Sequence, residues 1–131
     1  MKRAAVLVAG LLMLSGCGSD NPTDPLAQFE PQVTNATDSF QLQATDVTDV
    51  GTILQYTWEN TGSQAVVDHS TTTAGGIAGL VIRDASGTTV YDQGLATSLN
   101  EDTASGSAGS WTITVALNQY SGTLNFRVQK K

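Results

Sequence analysis

The sequence predicts an all-β fold: an antiparallel β-sandwich of about seven strands, set behind a cleavable leader and a flexible tether. Three observations carry this. Apolar residues alternate with polar ones in short runs from Phe40 to Val128. Clusters of Gly, Asn, Asp and Ser interrupt those runs at roughly the 8–12-residue spacing of sandwich strands. No stretch downstream of the leader repeats its apolar residues at the 3.6-residue period of a helix. The chain has 131 residues, enough for one core of this kind and not for two.

The first element is the leader. Lys2-Arg3 gives a basic start, and Ala4 to Leu14 forms an apolar run of eleven residues. That run is too short to span a hydrocarbon core about 30 Å thick, which takes about 20 residues, so residues 1–16 read as a signal peptide. The run closes on Leu14-Ser15-Gly16-Cys17, an aliphatic residue and two small ones before the only cysteine in the chain. This tetrapeptide resembles the lipobox of bacterial lipoproteins. The resemblance implies diacylglycerol on the Cys17 sulfur, cleavage between Gly16 and Cys17, and acylation of the new amino group. It also implies sorting to the outer membrane in a diderm host, because Gly18 and not aspartate follows the cysteine. Several acyl chains, each contributing about 0.8 kcal/mol per buried methylene, make a stable membrane anchor.

Residues 17–37 read as the tether. All three prolines (Pro22, Pro25, Pro31) lie there, no apolar alternation is present, and proline removes a ladder donor. Asp20 and Asp24 read as solvated linker charges, while Leu26 and Phe29 can dock on the domain or on lipid. The domain itself is expected over 38–131.

Its strands follow in order. Phe40, Leu42 and Ala44 alternate cleanly, and Asp46 to Gly51 is expected to turn the chain. Leu54, Tyr56 and Trp58 share a face before a second turn at Asn60-Thr61-Gly62-Ser63. Ala65 to Thr71 is a weaker strand. After Gly75-Gly76, Ile77 to Asp84 is evenly apolar, as expected of a central strand covered on both sides. Asp84-Ala85-Ser86-Gly87 has a four-residue turn signature and predicts a hairpin with Thr88 to Asp92. Residues 93–110 read as a surface loop with a short edge strand near Leu95 to Leu99. Trp111, Ile113, Val115 and Leu117 then alternate, as do Leu124, Phe126 and Val128. The turn expected over Asn118 to Gly122 makes these a C-terminal hairpin with Trp111 and Phe126 on one inner face. The predicted core is Phe40, Leu42, Tyr56, Trp58, Leu80, Ile82, Val90, Trp111, Ile113, Val115, Leu124, Phe126 and Val128.

Such a set suits an immunoglobulin-like or jelly-roll order. The stretch from Ala78 to Lys131, with its D-x-x-G hairpin and Gly109-Ser110-Trp111-Thr112-Ile113-Thr114-Val115, resembles the small jelly-roll domains of secreted bacterial proteases and surface proteins. That resemblance implies an accessory, non-catalytic role.

Charge narrows the partners. Cleavage after Gly16 leaves Arg83, Arg127, Lys130 and Lys131 against twelve acidic residues, a net charge of −8. An acidic surface repels phosphate backbones and argues against nucleic acid. A lone cysteine excludes an intrachain disulfide and a thiolate metal cluster.

No catalytic residue is assigned. His69, the only histidine, follows Asp68, and strand neighbours point to opposite faces, so His69 reads as a surface residue. Ser107 lacks the glycine of a G-x-S-x-G elbow, since Ser105 stands there. Glu59, Glu101 and Asp102 are the carboxylates a hydrolase would draw on, each beside a polar turn. For a cation, the candidates are Asp46 with Asp49 and Glu101 with Asp102, whose loop oxygens suit Ca2+ and no other cofactor. For a sugar, Tyr91 and Tyr120 are the aromatics outside the expected core. The functional expectation is a lipid-anchored envelope lipoprotein presenting a non-catalytic binding or structural module. Calcium or carbohydrate binding is the alternative within that class, and a small anchored hydrolase the alternative outside it. The protein or glycan partner is not specified by the sequence.

Overall fold

The computed structural model describes residues 25–131. The leader, Cys17, Gly18, Asp20 and Asp24 lie outside them. Seven strands form one antiparallel sheet: β1 (Gln32–Ala36), β2 (Ser39–Asn60), β3 (Ala65–His69), β4 (Thr72–Arg83), β5 (Thr89–Gly94), β6 (Leu99–Asp102) and β7 (Gly109–Lys130). The all-β antiparallel sandwich of seven strands is therefore the fold, although its strands are divided differently from the expectation.

The difference lies in β2 and β7. Each runs 22 residues and the two pair along their whole length, from Ser39↔Gln129 to Asn60↔Gly109. The pairing shifts register three times, between Ala44 and Val47, Val47 and Val50, and Val50 and Thr52. At that bend the sheet folds over on itself. One layer holds β1, the first arm of β2, the second arm of β7, β3 and β6. The other holds the second arm of β2, the first arm of β7, β4 and β5. The two ends of β2 meet again, since Asp38 N–H donates to Glu59 O at 2.8 Å and the Asp38 carboxylate accepts from Thr61 N–H at 2.8 Å.

The bend has a local cause in the repeated triplet Thr45-Asp46-Val47 and Thr48-Asp49-Val50. Asp46 and Asp49 take φ of 55° and 49°, a left-handed backbone that aspartate tolerates. Their N–H groups donate to Thr123 Oγ1 and Ser121 Oγ across β7, and Val47 and Val50 turn inward between them. These are bulges, each inserting an extra residue and bending the strand. Asp46–Gly51 and Asn118–Gly122 are thus corners inside continuous strands and not loops between hairpin strands. Trp111 and Phe126 lie on two arms of the same strand. Trp111 meets Trp58 edge-on at 5.9 Å, and Phe126 stacks on Phe40 at 5.9 Å.

All of the predicted core is buried except Tyr56, which is partly exposed and lies 5.1 Å from Phe40. The two buried indoles keep their donors satisfied, Trp58 through Ala36 O and Trp111 through Ser107 O. β4 departs from the expectation of a strand covered on both faces. Ala78, Leu80 and Ile82 are buried, but Ile77 is 65 % exposed.

The ordered body also starts earlier than Asp38. Leu26 is fully buried in the core, a 3-10 turn covers Ala27–Phe29, and β1 pairs with β2 from Gln32↔Gln43 to Ala36↔Ser39. Every residue of β1 is exposed, so it carries no inward phase for the sequence to display. The proline rule is still obeyed, because Pro31 stands immediately before the strand.

Candidate functional site

The strand register gathers a polar surface on the outer face of the β1-β2-β7-β3-β6 layer. Along β2 the inward residues are Phe40, Leu42 and Ala44, which sends Gln41 and Gln43 outward. The same alternation on β7 sends Asn125 and Arg127 outward between Leu124, Phe126 and Val128. Pairing then lays these into cross-strand rows. One is Gln32–Gln43–Asn125, and the next is Thr34–Gln41–Arg127–Asp68–Asn100.

Two shallow clefts lie on these rows. One, of about 170 Å³, is lined by Gln41, Asp68, Ser70, Asn125 and Arg127. The other, of about 210 Å³, is lined by Phe29, Glu30, Gln32, Gln43 and Thr45. Arg127 pairs with Asp68 at 3.2 Å, and Asn125 Nδ2 donates to Ser70 Oγ at 3.1 Å. Both members of the ion pair are about half exposed (46 % and 42 %), so the pair contributes at most about 1 kcal/mol to stability. Its charges cancel locally. What remains is a row of amides, each with donors and an acceptor at strand spacing, suited to a neutral ligand rich in hydroxyl or amide groups. The polar phase of β2 and β7 was visible in the sequence. The register that joins five strands into one surface was not.

The residues singled out from sequence are placed elsewhere. Tyr91 and Tyr120 are not a sugar platform. They are 6 % and 0 % exposed, on different strands, and their hydroxyls donate to Glu101 Oε2 at 3.0 Å and Thr72 O at 2.8 Å. A bulge explains Tyr91: the pairing passes from Ile82↔Tyr91 to Arg83↔Thr89, leaving Val90 as the extra residue. Both Val90 and Tyr91 therefore face inward. Tyr120 sits at the bend, opposite Val50. Burial holds both phenols above their ordinary pKa of 10, and the Glu101 carboxylate raises Tyr91 further.

His69 is not on the surface. It continues the inward phase of Ala65 and Val67, is 1 % exposed, and neither ring nitrogen has a hydrogen-bonding partner among the described residues. Burial pushes its pKa below 6.5, against the opposing pull of Glu101 and Asp68. Asp68 points outward to Arg127, so the two neighbours form no dyad.

The cation candidates also separate. Asp46 and Asp49 are exposed bulge residues. Glu101 accepts from Tyr91, while Asp102, one step along β6 and on the opposite face, pairs with Lys131. Among the described residues no three His, Cys, Asp or Glu side chains are grouped to hold a metal ion. Glu59 accepts from the Ser110 hydroxyl at the far end of β2 from the bend.

Asp84, expected from sequence as the first residue of a turn, is a buried carboxylate that organises the end opposite the bend. Asp84 is 5 % exposed and accepts three backbone N–H groups, from Thr88 at 2.8 Å, Ser107 at 2.8 Å and Ser86 at 3.0 Å. The Ser107 N–H, followed by the others, holds its pKa below the ordinary 3.8. This one side chain fixes the β4–β5 turn and pins the loop before β7 to it.

No protein-family profile matches this chain, and a comparison with curated proteins returns no match.

Proposed function

We propose that the chain is a lipoprotein of the cell envelope, exported by residues 1–16, acylated at Cys17, and presenting its β-sandwich as a non-catalytic binding or structural module. The observation that carries this is Leu14-Ser15-Gly16-Cys17 at the end of a basic-then-apolar leader, with its cysteine the only one in the chain. Seven residues then separate Cys17 from Pro25, where the described body begins. A Gly18 after the cysteine favours the outer membrane where the host has one. The test compares wild type with Cys17→Ser after feeding cells an alkyne-labelled palmitate. The proposal expects label and detergent-phase partitioning in wild type alone. Equal partitioning of the two proteins, or an unlabelled wild type, would sink it.

A second reading concerns the ligand. The two clefts on the amide rows favour a neutral glycan or similar hydroxyl-rich chain on the outer face of the β1-β2-β7-β3-β6 layer. Gln41→Ala with Asn125→Ala tests it by retention on immobilised envelope polysaccharide. Retention unchanged by the double substitution removes this face as the site.

A further inference from the structure

Two isoleucines lie unprotected on the outer face of the β2-β7-β4-β5 layer. Ile53 is 71 % exposed and Ile77 is 65 % exposed. They flank one strand: Ile53 pairs with Ala116 of β7, and Ile77 pairs with Asn118, two residues further along. Ala116, between them, is also exposed. Single exposed aliphatics are ordinary on protein surfaces, whereas two converging on one short stretch of sheet form a patch.

Their position along the strands matters more than their number. The last register shift of β2 ends at Thr52, and that of β4 ends at Ile77. Both isoleucines therefore stand at the start of their arms, beside the bend. The chain from Cys17 arrives at that same end, because β1 begins at Gln32 opposite Gln43, just before the bend opens at Ala44. The eight Cα-to-Cα steps from Cys17 to Pro25 span at most about 28 Å. An anchor at Cys17 thus holds the bend end, and not the opposite end, against the membrane.

Charge selects the kind of contact. Arg83 lies at the end of β4 away from the bend, Arg127 lies within the second arm of β7, and Lys130 and Lys131 close the chain beside Asp38 and Asp102. Among the described residues the charges at the bend end are carboxylates: Asp46, Asp49 and Glu30, which lies beside Gln43 and Thr45. Attraction to anionic headgroups has no source there, and the patch is aliphatic.

Resting on the anchor reading above, we infer that Ile53 and Ile77 insert into the interfacial region of the bilayer that carries Cys17. They set the tilt of the sandwich so that the Asp84 end points away from the membrane. Partitioning is supplied by the acyl chains; the isoleucines fix orientation.

The test uses the full-length acylated protein in phosphatidylcholine vesicles. With Cys17 blocked by its lipid, Ile53→Cys, Ile77→Cys and, as a control at the opposite end, Ala85→Cys each take one nitroxide. Accessibility to dissolved oxygen is compared with accessibility to a water-soluble nickel chelate. The inference expects an oxygen-to-chelate ratio severalfold higher at 53 and 77 than at 85. It also expects Ile77→Asp to lower the ratio at 53. Equal ratios at the three positions in protein that mass spectrometry shows to be acylated overturn this inference and leave the anchor standing. A chain without an acyl group overturns both.

Discussion

The Tyr91 hydroxyl on β5 donates to Oε2 of Glu101 on β6 at 3.0 Å, and so joins the outermost strands of the two layers. β5 pairs only with β4, and β6 only with β3, so the open side of the sandwich lies between them. Tyr91→Phe keeps the ring and removes the donor. A hydrogen bond to a charged acceptor contributes about 1.5–3 kcal/mol, and Glu101 is partly exposed, so the expected loss is near 1.5 kcal/mol. Urea unfolding should show a lower midpoint with an unchanged slope. An unchanged midpoint would mean that the edge strands hold together without this bond.

His69 sets a pH dependence of opposite origin to that of the carboxylates. Its folded-state pKa lies below 6.5 because burial penalises the imidazolium. As pH falls through 6.5 the unfolded chain takes up a proton that the folded chain resists, so stability falls with pH from there down to the folded pKa. The carboxylates of Asp38 and Asp84, lowered by their N–H partners, give up their contribution only below 3.8. The His69 contribution therefore begins to be lost at a higher pH than theirs. His69→Leu should flatten stability between pH 7 and 5. It should also raise stability at neutral pH by about 1 kcal/mol, by removing two unpaired ring nitrogens from the core. A slope between pH 7 and 5 that persists in the variant would assign it to another group.

Local sequence encodes burial in this fold more directly than it encodes pairing. Phe40, Leu42, Trp58, Trp111, Ile113, Leu124 and Phe126 were legible because period-two alternation reports which face is buried without reporting what lies opposite. Asp46, Asp49, Gln119 and Gly122 were misread because a bulge and a turn ask the same thing of a residue, tolerance of positive φ. Nothing local distinguishes a chain that reverses from one that bends and continues. Val90 then shifts the phase of β5 by one residue and hides Tyr91. β1 was missed because an exposed edge strand has no inward phase. The amide surface was half legible: Gln41, Gln43, Asn125 and Arg127 stood on polar phases, but their assembly depends on β2 and β7 pairing across 70 or more intervening residues at one end.

Asp84 should govern stability in acid and in one variant. Its carboxylate is satisfied by backbone N–H groups alone, so protonation removes an acceptor from donors that stay in place. Asp84→Asn turns an NH2 group toward at least one of those N–H donors. A melting temperature lower by several degrees is expected, together with a weaker loss of stability below pH 3.8. Gly106→Ala should resemble it, since a Cβ there would lie 2.7 Å from the Asp84 carboxylate. Thermal melts of both variants across pH 2–7 test the pair. A variant that melts as wild type would show that the loop before β7 is held by other contacts.

Two glycines give opposite expectations from the same substitution. Gly122 lies at the bend with φ of 148°, where a Cβ would fall 2.0 Å from Thr72 O and 2.7 Å from the Tyr120 hydroxyl. Neither neighbour can yield, because Thr72 O accepts the Tyr120 bond and Tyr120 is fully buried. Gly122→Ala should therefore cost about 3 kcal/mol or more, in the range of strained backbone combined with core displacement. Gly79 lies on β4 between Gly94 and Ala116, and a Cβ there would meet nothing within 4 Å. Its backbone is ordinary strand, so Gly79→Ala removes only unfolded-state freedom and should stabilise by about 0.5–1 kcal/mol. Chemical denaturation of the two variants beside wild type decides the matter. A mild effect at Gly122 would mean that the bend can open without disturbing the core. Destabilisation at Gly79 would mean that the glycine row on this face is covered by something in the folded protein.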